Sequence, residues 1–93
     1  MAKIKGAFNH DGNDSRIWWE QLKNGEKKGL ELIYSTYIDD MYRYGMAIKA
    51  NSSFIKDCVQ EVYVSLWKYR SRLKDTDNIK LYLFKCLYLL VYL

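Results

Sequence analysis

The chain has 93 residues, enough for one domain around one modest core and no more. Hydrophobic residues at 49% and charged residues at 28% fit a folded soluble domain and argue against disorder. A net charge of +4 permits contact with nucleic acid without requiring it.

Residues 1–14 are rich in Gly, Asn and Asp and lack periodicity, which predicts a flexible leader. The lysines near its start are followed by no long apolar run, so it is not a secretory signal. Ser15 is then expected to cap a short helix through Ile17, Trp18, Trp19 and Leu22, ended by Asn24-Gly25. A long helix follows, from about Glu26 to Ala50. Its apolar stripe is Leu30, Ile33, Tyr34, Tyr37, Met41, Tyr44 and Ile48, at three- and four-residue spacing. Gly29 and Gly45 cost helix propensity, and each offers close approach to a neighbouring helix.

Asn51-Ser52-Ser53 is a polar break, with either serine able to cap the next helix. That helix runs from about Phe54 to Arg70, with Phe54, Cys58, Val62, Leu66 and Tyr69 facing inward. Residues 71–78 form a charged linker, and a last helix starts near Asn78 or Ile79. The apolar run 81–93 holds Lys85 and is too short for a membrane span of roughly 20 residues, so a buried helix is expected. With proline absent, no helix is forced to break internally. The fold class is therefore all-α, a compact bundle of about four helices with a long second one.

Catalysis finds little support. There is no glycine-rich phosphate loop, nucleophile elbow or His-Glu-x-x-His motif. Asp39 and Asp40 are neighbours that point to different sides of a helix and suit a solvated face. Cys58, Cys86 and the single His10 are too few and too scattered for zinc, and read as two buried thiols of a reducing cytoplasm. No cofactor, metal or enzymatic activity is expected.

The informative stretch is Asp57-Cys58-Val59-Gln60-Glu61-Val62-Tyr63-Val64-Ser65-Leu66-Trp67. On a helix, Asp57, Gln60, Glu61 and Val64 fall at i, i+3, i+4 and i+7 and line one face. Such a ridge either docks against a basic partner helix or is an ordinary solvated face. The residues resemble the core-binding segment of bacterial RNA polymerase sigma factors, especially the extracytoplasmic-function group. That pattern has an acid, two apolar positions, Gln-Glu, an apolar residue, an aromatic, and a Trp a few residues on. The run from Trp18 through Leu22-Lys23-Asn24-Gly25-Glu26, the aromatic segment Leu32-Ile33-Tyr34 with Tyr37, and residues 78–85 resemble flanking parts of the same domain. The likeness covers about residues 17–87.

The resemblance implies a transcription initiation module. Its third helix would dock on the clamp helices of the largest polymerase subunit through Asp57, Gln60, Glu61 and Val64. Trp67 would lie at the interface edge or simply in the core. The linker and the start of the last helix would face the promoter's non-template strand, where a base of the −10 element is drawn from the stack. That costs a few kcal/mol, which stacking and phosphate contacts must offset. Arg70, Arg72, Lys74 and Lys80 are the phosphate candidates and Asn78 the base-edge candidate; the competing view is a solvated charged linker. The family also implies an anti-sigma factor as a partner.

Two departures stand out. The family's last helix carries an arginine, an asparagine and further basic residues where this chain has Tyr88-Leu89-Leu90-Val91-Tyr92-Leu93. The helix-turn-helix domain that reads the −35 element is expected to be absent, leaving residues 15–93 as a region 2-like unit. Exposed Leu90, Val91 and Leu93 point to self-association or a missing partner. The rival readings are a helical interaction module without DNA binding, and an unrelated helical protein that dimerises through its tail.

Overall fold

A computed structural model describes residues 13–93, so the proposed leader and His10 lie outside the described residues. Four α-helices follow in chain order: α1 (Asn13–Lys23), α2 (Lys27–Ile48), α3 (Ser52–Lys68) and α4 (Ile79–Val91), with a 3₁₀ turn at Arg70–Arg72. No strand occurs among the described residues, and the expected all-α bundle is what forms.

Helix α1 begins ahead of Ser15, which is buried inside it and does not cap it. Ser15, Trp19 and Leu22 share the inward face at helical spacing, so packing decides the start. Its C-terminus closes as expected at Asn24-Gly25. Gly25 takes φ +83°, the Gly25 N–H donates to Leu22 O at 3.0 Å, and Glu26 N–H donates to Gln21 O at 2.8 Å. This pair of bonds satisfies the last carbonyls of the helix and turns the chain into α2.

Helix α2 is central and touches the other three helices. Gly29, Ile33, Tyr37, Met41 and Gly45 recur every four residues along its buried face. Both glycines sit at helix crossings. A Cβ at Gly29 would lie 2.3 Å from Trp18 O, and one at Gly45 would lie 2.5 Å from Ile55 Cγ2. Of the expected stripe, Leu30, Tyr44 and Ile48 are half-buried flanks, and Tyr34 is exposed.

Asn51, not a serine, caps α3: its Oδ1 accepts from Phe54 N–H at 3.1 Å. Ile55, Cys58, Val59, Val62, Tyr63 and Leu66 are buried. Tyr69 falls beyond the helix and is exposed, correcting its place in the inward stripe. Cys58 is buried as expected, whereas Cys86 is half-buried.

The linker is anchored at several points. Trp19 Nε1 donates to Lys74 O at 2.9 Å, Lys23 pairs with Asp75, and Leu73 is half-buried. Asn78 caps α4, whose Ile79, Leu83, Leu87 and Val91 close the core. Leu90 and Val91, expected to be exposed, are half-buried and buried; the residues left outside are Leu81, Tyr88, Leu89, Tyr92 and Leu93. No helix among the described residues is long and apolar enough to cross a membrane.

Candidate functional site

The outer face of α3 follows from its own periodicity. The core takes Ile55, Val59, Val62 and Leu66, which leaves Asp57, Gln60, Glu61 and Val64 exposed in a row. Glu61 accepts a bond from Ser65 Oγ at 3.3 Å, one turn along, and so keeps its carboxylate along the helix surface. Val64 is 57% exposed, an apolar residue at the end of the ridge, one turn beyond Glu61.

Beside this ridge runs an apolar groove between α2 and α3. One stretch, about 550 Å³, is lined by Leu30, Tyr34, Gln60, Tyr63, Val64 and Trp67, with Lys27 and Glu31 at its rim. The next stretch, about 530 Å³, is lined by Ile38, Tyr42 and Val59, with Asp39 and Lys56 at its edge. Tyr34 and Gln60 belong to both stretches, and Gln60 Nε2 donates to Tyr34 OH at 3.2 Å across the groove. That bond fixes the side chain midway along the ridge. Gln60, Val64 and Trp67 therefore border the groove, with Asp57 and Glu61 on the exposed surface of α3.

Tyr63 forms part of the groove floor. Its ring meets Tyr34 edge-on at 4.8 Å, and its hydroxyl is buried without a hydrogen-bond partner among the described residues. Burial pushes this phenol well above its ordinary range. Tyr34, Leu30 and Tyr63 were not among the site residues expected from sequence. The signal available was Tyr34's place at the margin of the α2 stripe, where a phenol can pack its ring and keep its hydroxyl in water.

Trp67 is half-buried: it packs on the core and borders the groove. The Arg70 guanidinium lies 4.1 Å from the centre of its ring and donates to Trp67 O at 2.7 Å.

The five candidates for DNA contact differ in what holds each side chain. Arg70 is committed to Trp67, and Lys80 pairs with Asp40 on α2 at 3.1 Å. Asp40 also lies 3.9 Å from Arg43, so this acid belongs to an interhelix ion network. Asn78 uses its side-chain oxygen to cap α4, accepting from Leu81 N–H at 3.0 Å. Arg72 and Lys74 are exposed, with Arg72 5.7 Å from the Tyr69 ring centre. A hollow of about 220 Å³ opens between α1 and the linker, lined by Arg16, Trp19, Glu20, Asp75, Thr76 and Asp77. No group of three or more potential metal ligands occurs among the described residues.

No protein-family model, curated protein sequence or solved structure matches this chain.

Proposed function

We propose that the domain is a transcription initiation module that docks on core RNA polymerase and opens the promoter −10 element. One observation carries the reading. The sigma-like residues Asp57, Gln60, Glu61 and Val64 are exposed together on α3, beside an apolar groove, with Gln60 held by Tyr34. An acidic ridge next to an apolar slot suits a basic, amphipathic helix pair such as the polymerase clamp: charges steer and set register, and apolar side chains fill the slot.

Arg72 and Lys74 offer two exposed cations for phosphates, and the hollow by the linker offers carboxylates that accept from amino groups at a base edge. Arg70 and Lys80 spend their charge within the fold. That observation favours the second reading, a module that binds polymerase without opening DNA. Cytoplasmic residence and restraint by an anti-sigma factor belong to the first reading and stand or fall with it.

Promoter opening separates the two. Core polymerase is mixed with the chain and a duplex bearing a fluorescent base within a −10 element. Fluorescence that rises only when chain and polymerase are both present supports the initiation module. Polymerase binding without that rise assigns the interaction module, and no binding by a folded chain overturns both.

A further inference from the structure

The outer face of α4 belongs neither to the core nor to the α3 ridge. Leu81, Lys85, Tyr88, Leu89 and Tyr92 are all exposed at i, i+4, i+7, i+8 and i+11, one stripe of a helix. Lys85 is its only charge. Leu81 is 49% exposed, Tyr88 48%, Leu89 65%, Tyr92 63% and Leu93 97%. Tyr88 and Tyr92 rest on each other, with ring centres 4.7 Å apart.

Alongside the stripe lies an apolar hollow of about 250 Å³ between α3 and α4, whose walls include Leu66, Tyr69, Leu73 and Leu90. Leu89 belongs to both the stripe and the hollow. Protruding leucine and tyrosine side chains and a recess that fits them thus occur on a single patch. A two-fold dimer requires this arrangement, since each copy must supply both knob and hole.

We propose that the occupant is a second copy of this chain, the two α4 helices pairing across a two-fold axis. At roughly 150–250 Å² per side chain, the exposed fractions of Leu81, Tyr88, Leu89 and Tyr92 on the stripe and Tyr69 at the hollow amount to roughly 550 Å² per copy. Pairing buries roughly 1,100 Å² in all, just under a standard specific interface, which fits a weak, reversible dimer. Lys85 fits without burying its charge: its stem packs along the stripe and its ammonium reaches water or a tyrosine face of the other copy. Each copy carries a net charge of +4, so the copies repel at long range and salt strengthens the pairing. Salt dependence of this sign is opposite to that of binding to nucleic acid or anionic lipid.

Sedimentation velocity and light scattering test the proposal with no polymerase present. The mass should rise from 11.1 kDa toward twice that value with concentration. The concentration series runs from about 10 µM to about 1 mM, where weak, reversible pairing is read. Leu89→Glu should move the midpoint at least about tenfold higher while circular dichroism stays helical. Ile17→Glu changes an apolar residue on α1 that is 56% exposed and should leave the mass profile unaltered. A parent chain that stays at 11.1 kDa at about 1 mM overturns the dimer. So does a dimer indifferent to Leu89→Glu, and so does a monomer that sediments with phosphatidylcholine vesicles, which would give the stripe to a lipid surface.

Discussion

Replacing Gly29 by alanine sets two effects against each other. Alanine favours a helix interior by about 1 kcal/mol over glycine, and on propensity alone Gly29→Ala would stabilise α2. The added Cβ, however, would lie 2.3 Å from Trp18 O, 2.7 Å from Gln21 Cβ and 2.8 Å from Leu22 N. Ordinary contact needs roughly 3.5 Å or more, so α1 must retreat by about an ångström. Two of the three atoms are backbone, which no rotamer change can move aside. Retreat lifts Trp19 and Leu22, 2% and 0% exposed, out of their seats. Overpacking of this kind costs about 1–3 kcal/mol and often more when backbone is the obstacle. Backbone obstruction puts the cost at the upper end of that range, and subtracting the helix-propensity gain leaves a net loss of roughly 2 kcal/mol, which for a domain of this size lowers Tm by about 8–16 °C. Gly45→Ala should lose less, because there the close atoms all belong to the side chain of Ile55. The assay is thermal unfolding followed by circular dichroism at low micromolar concentration. A Gly29→Ala protein as stable as the parent, or more so, would refute the close α1–α2 crossing.

Tyr63→Phe removes a buried hydroxyl with no hydrogen-bond partner among the described residues, so at neutral pH stability should hold or rise by about 1 kcal/mol. Burial raises the proton affinity of Tyr63, Tyr82, Cys58 and Cys86, and the bond to Asp75 raises that of Lys23. In each case the folded chain holds its proton more tightly than the unfolded one, so stability falls as pH climbs past the ordinary values of 9.0 to 10.5. Tyr63→Phe should flatten that alkaline limb in urea titrations across pH 8–11, and an unchanged slope contradicts the burial argument. Asn78→Ala should cost about 1 kcal/mol through loss of the α4 cap, while Asn78→Ser restores most of it. If Asn78 also reads a base, the serine variant keeps its stability yet loses promoter opening. Trp19→Phe deletes the donor to Lys74 O and should loosen the linker, seen as faster amide exchange at residues 74–77.

The helices were legible because their apolar positions recur at helical spacing, and Asn24-Gly25 and the polar break at 51 to 53 mark two of the boundaries. Gly29 and Gly45 were legible as close contacts too, since glycine in a helix interior needs a packing reason. The sequence misplaced Ser15 and Tyr69, each by following a local preference that tertiary packing overrode. Ser15 is short enough to go inside, and Tyr69 lies just past the last turn. The α3 ridge could be read directly, for a single helix dictates which of its residues align. The groove could not, because Tyr34 and Leu30 lie far along the chain from Gln60 and meet it only through the α2–α3 crossing. Lys80 looked free for the same reason, since Asp40 is brought near only by the fold; Arg70 looked free although Trp67 is three residues away, because the turn after α3 that folds the guanidinium back was not expected. Leu90 and Val91 read as exposed because the whole tail is apolar, and periodicity cannot choose a face when every face is alike.

The central claim is that the α3 ridge docks on polymerase, and a binding titration tests it most directly. Fluorescently labelled parent chain and a Gln60→Ala/Glu61→Lys variant are titrated with core RNA polymerase at physiological salt. Both side chains are exposed, and their side-chain hydrogen bonds among the described residues go to Tyr34 and Ser65, so the variant should remain folded, with circular dichroism as the control. Losing an interfacial charge pair costs about 2–5 kcal/mol, which predicts a Kd weaker by about thirtyfold or more. Equal affinities for the two folded proteins, or no affinity in either, would contradict the account.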